Sequence, residues 1–332
     1  MTRLIRGFAA VGVVAGVVLL GPRARVRGEV EPVEPGPDVV AWLAGREATV
    51  PGIRPGDGKE VVWATPEAPS RTPLSVVYLH GFSADRHEIS PVMEEVTEAL
   101  GANLFFTRLR GHGRDGAAMA EARAEDWLQD TEEALAVGSR LGERVVLVGT
   151  STGGTLAVWA AAQPRWRERL AAVVLISPNF GPRDGTAEIL LWPWGGLLAR
   201  AVVGAERCFE PLNGEQERHW TTCYPTRALL PMMALVDHVR ELDPEEVRSP
   251  LLVLYSPRDQ VVDAQATEAI VAAFASPVKR VEGFTGSEDP SHHVLAGTII
   301  SPGTTGAATL RILDFVRGVV GIPTSGSGTH DD

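Results

Sequence analysis

The stretch VVLVGTSTGGTLAVWAA, residues 145–161, carries the strongest fold signal in the chain. It begins as a run of β-branched and aliphatic residues, passes through GTSTG and continues as an alanine-rich segment. The first part predicts a buried strand and the last part predicts a helix. The glycine-flanked turn between them places Ser151 at a sharp bend, at the carboxyl end of the strand.

The rest of the chain alternates strand-like and helix-like segments. Strands are predicted in KEVVWATP, LSVVYLH, NLFFTRL, RVVLVGT, LAAVVLISP, PLLVLYSP and PVKRVEG. Amphipathic segments between them, such as EISPVMEEVTEALG and EDWLQDTEEALAVGSRLG, predict helices. This alternation predicts an α/β domain over residues 39–320, with a mostly parallel, doubly wound sheet.

One connection is far longer than an ordinary connection between a strand and a helix. It spans residues 180–248 and holds three tryptophans and both cysteines of the chain, Cys208 and Cys223. We interpret it as a lid or cap inserted into the domain. In an exported protein we expect the two cysteines to form a disulfide, and two buried free thiols are the alternative.

Length and composition indicate one large globular domain, with 332 residues, 44% hydrophobic and 22% charged. The formal net charge of −11 argues against nucleic-acid binding, because a surface that follows phosphates needs a basic stripe. The sequence shows neither a cluster of metal-ligand residues nor a GxxxxGK[ST] loop. We therefore expect no metal and no nucleotide cofactor.

The N-terminal residues 1–27 have the character of a targeting segment, with five arginines, no acidic residue and the apolar run GFAAVGVVAGVVLLG. The run is shorter than the roughly 17–25 residues of a spanning helix, yet no cleavage site stands out after it. Both a signal peptide and a retained membrane anchor stay open, and both predict a periplasmic or extracellular domain. Residues 28–38 are a proline-rich linker, and residues 321–332 are expected to be a disordered tail.

GTSTG fits the G-x-S-x-G pattern of a nucleophilic serine, which needs a histidine base and a carboxylate that orients the histidine. In hydrolases with this turn the order along the chain is Ser, Asp or Glu, then His. Asp259 follows a predicted strand, and His292 and His293 lie in the loop after the last strand. Asp263 is the second carboxylate considered, but its position favours the start of the next helix.

Such a serine also needs two backbone amides that stabilise the developing oxyanion. The first is the amide of the residue after the nucleophile, Thr152. The second comes from the loop after an early strand, and VVYLHGFSA places the amide of Phe82 there.

Five segments occur in a characteristic order: HGFSA, RLRGHGRDG, GTSTGG, SPRDQVVD and HHVLAG. This set resembles the serine α/β-hydrolase superfamily, most closely its carboxylesterase and monoglyceride-lipase branch, over about residues 61–317. The resemblance implies that Ser151 is the nucleophile, Asp259 the orienting acid and His293 the base, because this branch commonly follows its histidine with Val and another aliphatic residue.

The resemblance assigns no proton transfer to the other histidines near the site. His112, in RGHGRDG, is expected to be a satisfied structural histidine, and His80 a scaffold residue of the oxyanion loop. His292 has no match in the branch and is either a neighbour in the pocket or a surface residue. Thr152 departs from the aliphatic residue that many members carry, which leaves the acyl-chain preference open.

The expected reaction is hydrolysis of a carboxylic ester through an acyl-enzyme on Ser151. The apolar stretch LLWPWGGLLARAVVG of the insertion favours lipophilic esters such as monoacylglycerols or lysolipids, although simple packing of these side chains is the alternative. Acyl transfer and amide or peptide hydrolysis use the same residues and stay open. A catalytically silent binding module predicts the loss of a triad position, and all three positions are occupied. Nothing in the sequence predicts the oligomeric state.

Overall fold

A computed structural model describes residues 20–321 of the chain. The signal peptide or anchor predicted for residues 1–27 lies mostly outside this range, as does nearly all of the tail predicted for residues 321–332. Both remain predictions. Within the described range, no helix has the length and apolar character needed to cross a membrane.

Seven strands form a central sheet in the order β1-β3-β2-β4-β5-β8-β9, and two further strands, β6 and β7, form a separate ribbon. The strands are β1 Glu60–Val62, β2 Thr72–Leu79, β3 Asn103–Phe106, β4 Gly142–Thr150, β5 Leu170–Ile176, β6 Glu206–Cys208, β7 Cys223–Pro225, β8 Leu251–Tyr255 and β9 Lys279–Gly283. In the central sheet only β1 pairs antiparallel with its neighbour. The predicted, mostly parallel sheet is confirmed.

Helices cover both faces of this sheet. Within residues 20–321 they are α1 Val39–Glu47, α2 Val92–Leu100, α3 Gly116–Met119, α4 Ala124–Leu141, α5 Thr152–Ala162, α6 Gly195–Val203, α7 Gly214–His219, α8 Leu229–Arg240, α9 Ala264–Ala273 and α10 Pro302–Val320. In β4, Val145 and Leu147 pack into the core on one face, and Val146 and Val148 pack into the core on the other. The strand is apolar throughout because both of its faces are buried.

The insertion, residues 180–248, lies between two strands that pair directly with each other, β5 and β8. It contains α6, α7, α8 and the β6–β7 ribbon. Cys208 and Cys223 face each other across this ribbon and form a disulfide. Both residues are exposed, so the alternative of buried free thiols is wrong.

Candidate active site

Ser151 occupies the turn between β4 and α5 in a strained backbone conformation. Its φ of 52° and ψ of −114° lie in a region that residues other than glycine rarely adopt. Three backbone hydrogen bonds hold it there: its amide donates to the carbonyl of Ile176 at 2.9 Å, and its carbonyl accepts from the amides of Asn179 at 3.0 Å and Thr155 at 3.2 Å. The surrounding backbone therefore fixes the position of the serine.

The glycines on either side of Ser151 are required by close backbone approaches. A Cβ at Gly149 would lie 2.2 Å from the carbonyl oxygen of Gly153, and a Cβ at Gly153 would lie 2.0 Å from that of Leu79. Neither contact is possible for real atoms, and backbone cannot move aside as a flexible side chain can. The GTSTG pattern thus reflects the packing of α5 against the carboxyl ends of β4 and β2.

His293 and Asp259 form a close pair. His293 Nδ1 lies 2.7 Å from Asp259 Oδ2, while Asp259 Oδ1 accepts hydrogen bonds from the amides of Val261 and Val262 at 2.7 and 2.9 Å. Asp263 instead begins α9, where its carboxylate accepts from the first amides of the helix. The structure brings Asp259 to the histidine, as predicted, and places Asp263 elsewhere.

The loop that carries His293 is organised by Asp289, a residue that the sequence reasoning did not single out. Its Oδ2 accepts hydrogen bonds from the amides of His293 and Val294 at 2.9 and 2.8 Å. Ser177, which directly follows β5, donates from its hydroxyl to the carbonyl of His293 at 2.8 Å. An aspartate followed by Pro and Ser is typical of a turn held by its own side chain, and this was the available signal.

Glu88 is a second residue that the sequence reasoning did not single out. It is buried next to the loop that follows β2 and carries Gly81 and Phe82. Its Oε1 accepts from the amide of Gly81 at 2.6 Å and from the hydroxyl of Tyr78 at 2.8 Å. Burial raises the pKa of Glu88 to about 7. A Cβ placed on Gly81 would lie 2.9 Å from Glu88 Oε2 and 3.4 Å from Ser151 Cβ, so the carboxylate, the loop and the nucleophile are neighbours.

Phe82 and Thr152, the residues expected to form the oxyanion hole, lie on that loop and at the start of α5. Among the hydrogen bonds within residues 20–321, neither backbone amide is a donor. Both amides therefore lack an acceptor within the described residues. The Phe82 ring is held by edge contacts with His112, Trp127 and Tyr224, with ring centroids 5.3–6.1 Å apart.

His80 and His112 are both fully buried. His80 Nε2 accepts from the amide of Leu109 at 3.0 Å and its Nδ1 donates to the carbonyl of Gly81 at 2.9 Å, which suits the expected scaffold role. His112 Nδ1 lies 3.2 Å from the carbonyl oxygen of Arg110, but its Nε2 has no hydrogen-bond partner within residues 20–321. His112 is therefore a buried histidine with one nitrogen unpaired within the described residues, and its ring packs against those of His80, Phe82 and Trp127.

The three predicted triad residues follow three different parallel strands, β4, β8 and β9, so all three lie at the carboxyl end of the sheet. Ser151 Oγ forms no hydrogen bond within the described residues. Such a bond between nucleophile and base is often long in a free enzyme and shortens when substrate binds. His292 lies beside the base with a φ of 56°, and its amide donates to the carbonyl of Asp289.

The surrounding carboxylates control the protonation of His293. Burial by itself would lower its pKa, but the charge and hydrogen bond of Asp259 act in the opposite direction, and Asp289 and Glu88 add to this effect. The net result is a pKa above the ordinary value of 6.5. These carboxylates therefore stabilise the imidazolium that forms when the histidine accepts a proton.

A pH dependence follows from this shift. A base must be neutral to accept a proton, so kcat/KM for an uncharged ester is expected to rise with pH through a midpoint above 6.5. Asp259→Asn removes the main stabilising charge, so its midpoint is expected at lower pH and its kcat about 10⁴-fold lower. The measurement is kcat/KM from about pH 5 to 9 for both enzymes. A wild-type midpoint below 6.5, or one that Asp259→Asn leaves in place, contradicts the assignment.

Comparisons with known proteins identify the family and the fold. A family model described as serine aminopeptidase, S33 matches residues 70–288. A thermostable monoacylglycerol lipase of Bacillus sp. (strain H-257) is 25% identical over 210 residues, which cover 63% of this chain and 80% of that protein.

Solved structures show the same fold. A structure of the metagenome-derived lipolytic enzymes LipS and LipT matches with a TM-score of 0.65 and 23% identity, over 80% of this chain and 99% of the other. A soluble variant of monoglyceride lipase from Saccharomyces cerevisiae matches with a TM-score of 0.60 and 13% identity, over 79% and 90% of the two chains. The family model covers more than half of the sequence, and the chain therefore belongs to the serine aminopeptidase S33 family, within the α/β-hydrolase fold.

Proposed function

We propose that this enzyme hydrolyses lipophilic carboxylic esters, of the monoacylglycerol or lysolipid class, through an acyl-enzyme on Ser151. The enzyme is a carboxylic ester hydrolase, in keeping with its family and with the lipases that resemble it. The observation that carries the mechanism is the 2.7 Å contact between His293 and Asp259, at the carboxyl end of the sheet, where Ser151 occupies its strained turn.

In the first half-reaction, His293 Nε2 accepts the proton of Ser151 as Oγ attacks the acyl carbon. The amides of Phe82 and Thr152 donate to the oxygen that becomes negatively charged, and the N-terminus of α5 adds its positive dipole end. His293 then protonates the leaving alcohol. In the second half-reaction a water molecule, deprotonated by the same histidine, attacks the acyl-enzyme and releases the acid.

The insertion supports a lipophilic substrate. Five large apolar side chains of its LLWPWGGLLARAVVG stretch are exposed, namely Trp192, Leu197, Leu198, Val202 and Val203. Only the smaller part of this stretch packs inward, with Leu190 and Ala199 against Met233. An exposed apolar surface on the insertion offers contact area for an acyl chain or for a lipid interface. The relatives named monoacylglycerol lipase and monoglyceride lipase point to the same class of ester.

We place the enzyme outside the cytoplasm and close to a membrane. The first residues that the structure describes lie beside the apolar stretch of the insertion. There the amide of Trp194 donates to the carbonyl of Pro22 at 2.9 Å. Gly21, the last residue of the apolar run 7–21, thus lies next to Trp194 of the insertion. The disulfide between Cys208 and Cys223 suits an oxidising compartment.

A series of p-nitrophenyl esters from acetate to palmitate, together with a monoacylglycerol whose free fatty acid is quantified, tests the substrate class. We expect a preference for medium or long chains. Leu197→Ser is expected to lower turnover of the long-chain esters about 10-fold by removing apolar contact, while leaving acetate turnover unchanged. Leu310→Ser, at a residue that is 68% exposed on α10, is the matched control and should change neither.

The outcomes separate the parts of the proposal. An optimum at acetate with no effect of Leu197→Ser contradicts the lipophilic substrate and leaves the esterase mechanism intact. Faster cleavage of aminoacyl amides than of any ester favours the peptidase alternative that the family description suggests. Transfer of the acyl group to added alcohol in preference to water favours the acyltransferase alternative.

A further inference from the structure

Four metal-ligand side chains meet in a cluster outside the triad. Asp57, Asp85, His87 and His219 each direct one oxygen or nitrogen into a common space, and these four atoms lie within 4.8 Å of one another. Asp57 precedes β1, Asp85 and His87 belong to the loop after β2, and His219 ends α7 of the insertion. The cluster therefore joins three separate segments of the chain.

The spacing of these atoms resembles that of a coordination shell. His219 Nδ1 lies 3.1 Å from Asp57 Oδ1 and 3.1 Å from Asp85 Oδ2, and His87 Nδ1 lies 3.8 Å from Asp57 Oδ1. Neighbouring donors of a tetrahedral zinc ion stand about 3.3–3.5 Å apart, given bonds of about 2.0–2.1 Å. One N–H of His219 points along a single line and cannot be well directed at both carboxylates, whereas one cation between them can contact both.

Charge and burial favour a cation at this position. The Asp57 and Asp85 side chains are each 1% exposed, and two adjacent carboxylates so far from water are costly without positive charge. Arg54 supplies one charge, since its Nε lies 2.6 Å from Asp57 Oδ2 and its guanidinium 3.9 Å from Asp85 Oδ2. A protonated histidine of the cluster or a bound metal ion supplies the second charge, because His219 Nδ1 and His87 Nδ1 both lie beside the carboxylates.

Each carboxylate of the cluster uses one oxygen for contacts with neighbouring residues and keeps the other oxygen directed into the cluster. Arg54 binds Asp57 through Oδ2, which leaves Oδ1 facing the cluster, and the amide of His87 donates to Asp85 Oδ1, which leaves Oδ2. His87 Nδ1 also lies 2.8 Å from Asp85 Oδ1, so metal binding exchanges this contact for a bond to the ion. The far nitrogen of His219, Nε2, faces the carboxylate of Glu215 at 3.8 Å. At this distance Glu215 adds a nearby negative charge without a direct hydrogen bond.

We propose that Asp57, Asp85, His87 and His219 bind one divalent transition-metal ion, with zinc as the best fit to two imidazoles and two carboxylates. Such a set suits zinc better than calcium or magnesium, which prefer oxygen ligands. A closed set of four protein ligands is typical of a structural site. The expectation of no metal came from the lack of clustered ligands in the sequence, and here the fold assembles ligands that are up to 162 residues apart.

The site lies where the insertion contacts the loop that carries Phe82, so a bound ion would hold these two segments together. Just beyond His219, the amide of Thr221 donates to the carbonyl of Ser83 at 2.7 Å, and Ser83 follows Phe82 directly. The ion would clamp the insertion to the loop that presents the Phe82 amide. Its loss is expected to loosen this junction and leave the His293–Asp259 pair in place.

The test uses the untagged full chain, stripped with a chelator and then titrated with Zn²⁺ alone. We expect about one Zn²⁺ per chain by elemental analysis. At metal concentrations about 100-fold above Kd, the melting temperature is expected to rise by about 4 °C. Substitution with Co²⁺ is expected to give the intense visible absorption of a tetrahedral site. Less than about 0.1 Zn²⁺ per chain and an unmoved melting temperature would overturn the proposal and leave an ion-pair network.

Variants locate the site. His219→Ala and His87→Ala each remove one ligand and are expected to abolish the Zn²⁺-dependent rise in melting temperature. The His87 side chain is 25% exposed, so His87→Ala is expected to fold. It therefore tests the site even if His219→Ala folds poorly. His238→Ala, at another histidine of the insertion, is the matched control and should bind Zn²⁺ like the wild type. Equal binding by His87→Ala and the wild type would assign the metal elsewhere and overturn the proposal.

Discussion

Replacement of Ser151 by alanine is expected to lower kcat on p-nitrophenyl esters by about a millionfold, the loss found when subtilisin loses its nucleophile. The reason is that alanine has no nucleophilic atom to form the acyl-enzyme, while backbone contacts fix Ser151 at the carboxyl end of β4. The measurement is steady-state turnover, together with mass spectrometry of the protein after a fluorophosphonate probe. The wild type should gain one adduct and the variant none.

A serine variant with no role in the site controls for general effects of the substitution. Ser139→Ala in α4 is suitable, because the Ser139 hydroxyl is buried without a hydrogen-bond partner within residues 20–321. It should retain wild-type turnover, and both variants should melt within a few degrees of the wild type. Residual turnover above about 1% in folded Ser151→Ala would show that the reaction does not pass through this serine.

Replacement of His293 by alanine is expected to lower kcat about as much as loss of the serine, because nucleophile and base act as one unit. Replacement of the adjacent His292 is expected to change kcat less than about 10-fold. The two neighbours differ because only His293 contacts Asp259, at 2.7 Å. The measurement is kcat and KM for both variants on the same ester.

The backbone at His292 calls for a second variant at this position. Its φ of 56° is strained for alanine, whereas asparagine tolerates the left-handed region better, so His292→Asn separates loss of the imidazole from distortion of the loop. Near-normal turnover in His292→Asn beside an inactive His293→Ala supports the assignment. The reverse result would move the base by one residue and leave the mechanism standing.

The sequence by itself determined the features that depend on local pattern. The apolar run before Ser151 predicted a strand covered on both faces, and β4 packs into both cores. The glycines at 149 and 153 predicted a crowded turn, and both prove to be in backbone contact. The choice of Asp259 over Asp263 followed from their distances to the strand end, because a helix cap and a strand end leave different local signals.

The tertiary structure alone decided which distant side chains meet. The resemblance to a known family predicted that His293 and Asp259 act together, and the parallel pairing of β8 with β9 brings them into contact. Only the tertiary structure places Asp289 and Glu88 close enough to raise the pKa of His293. The cluster around His219 likewise draws on three segments whose spacing shows no pattern. The spacing of apolar residues along the sequence predicts strands and helices and the side of each element that is buried. Contacts between distant segments depend on which strands pair and where the insertion packs, and no local pattern records them.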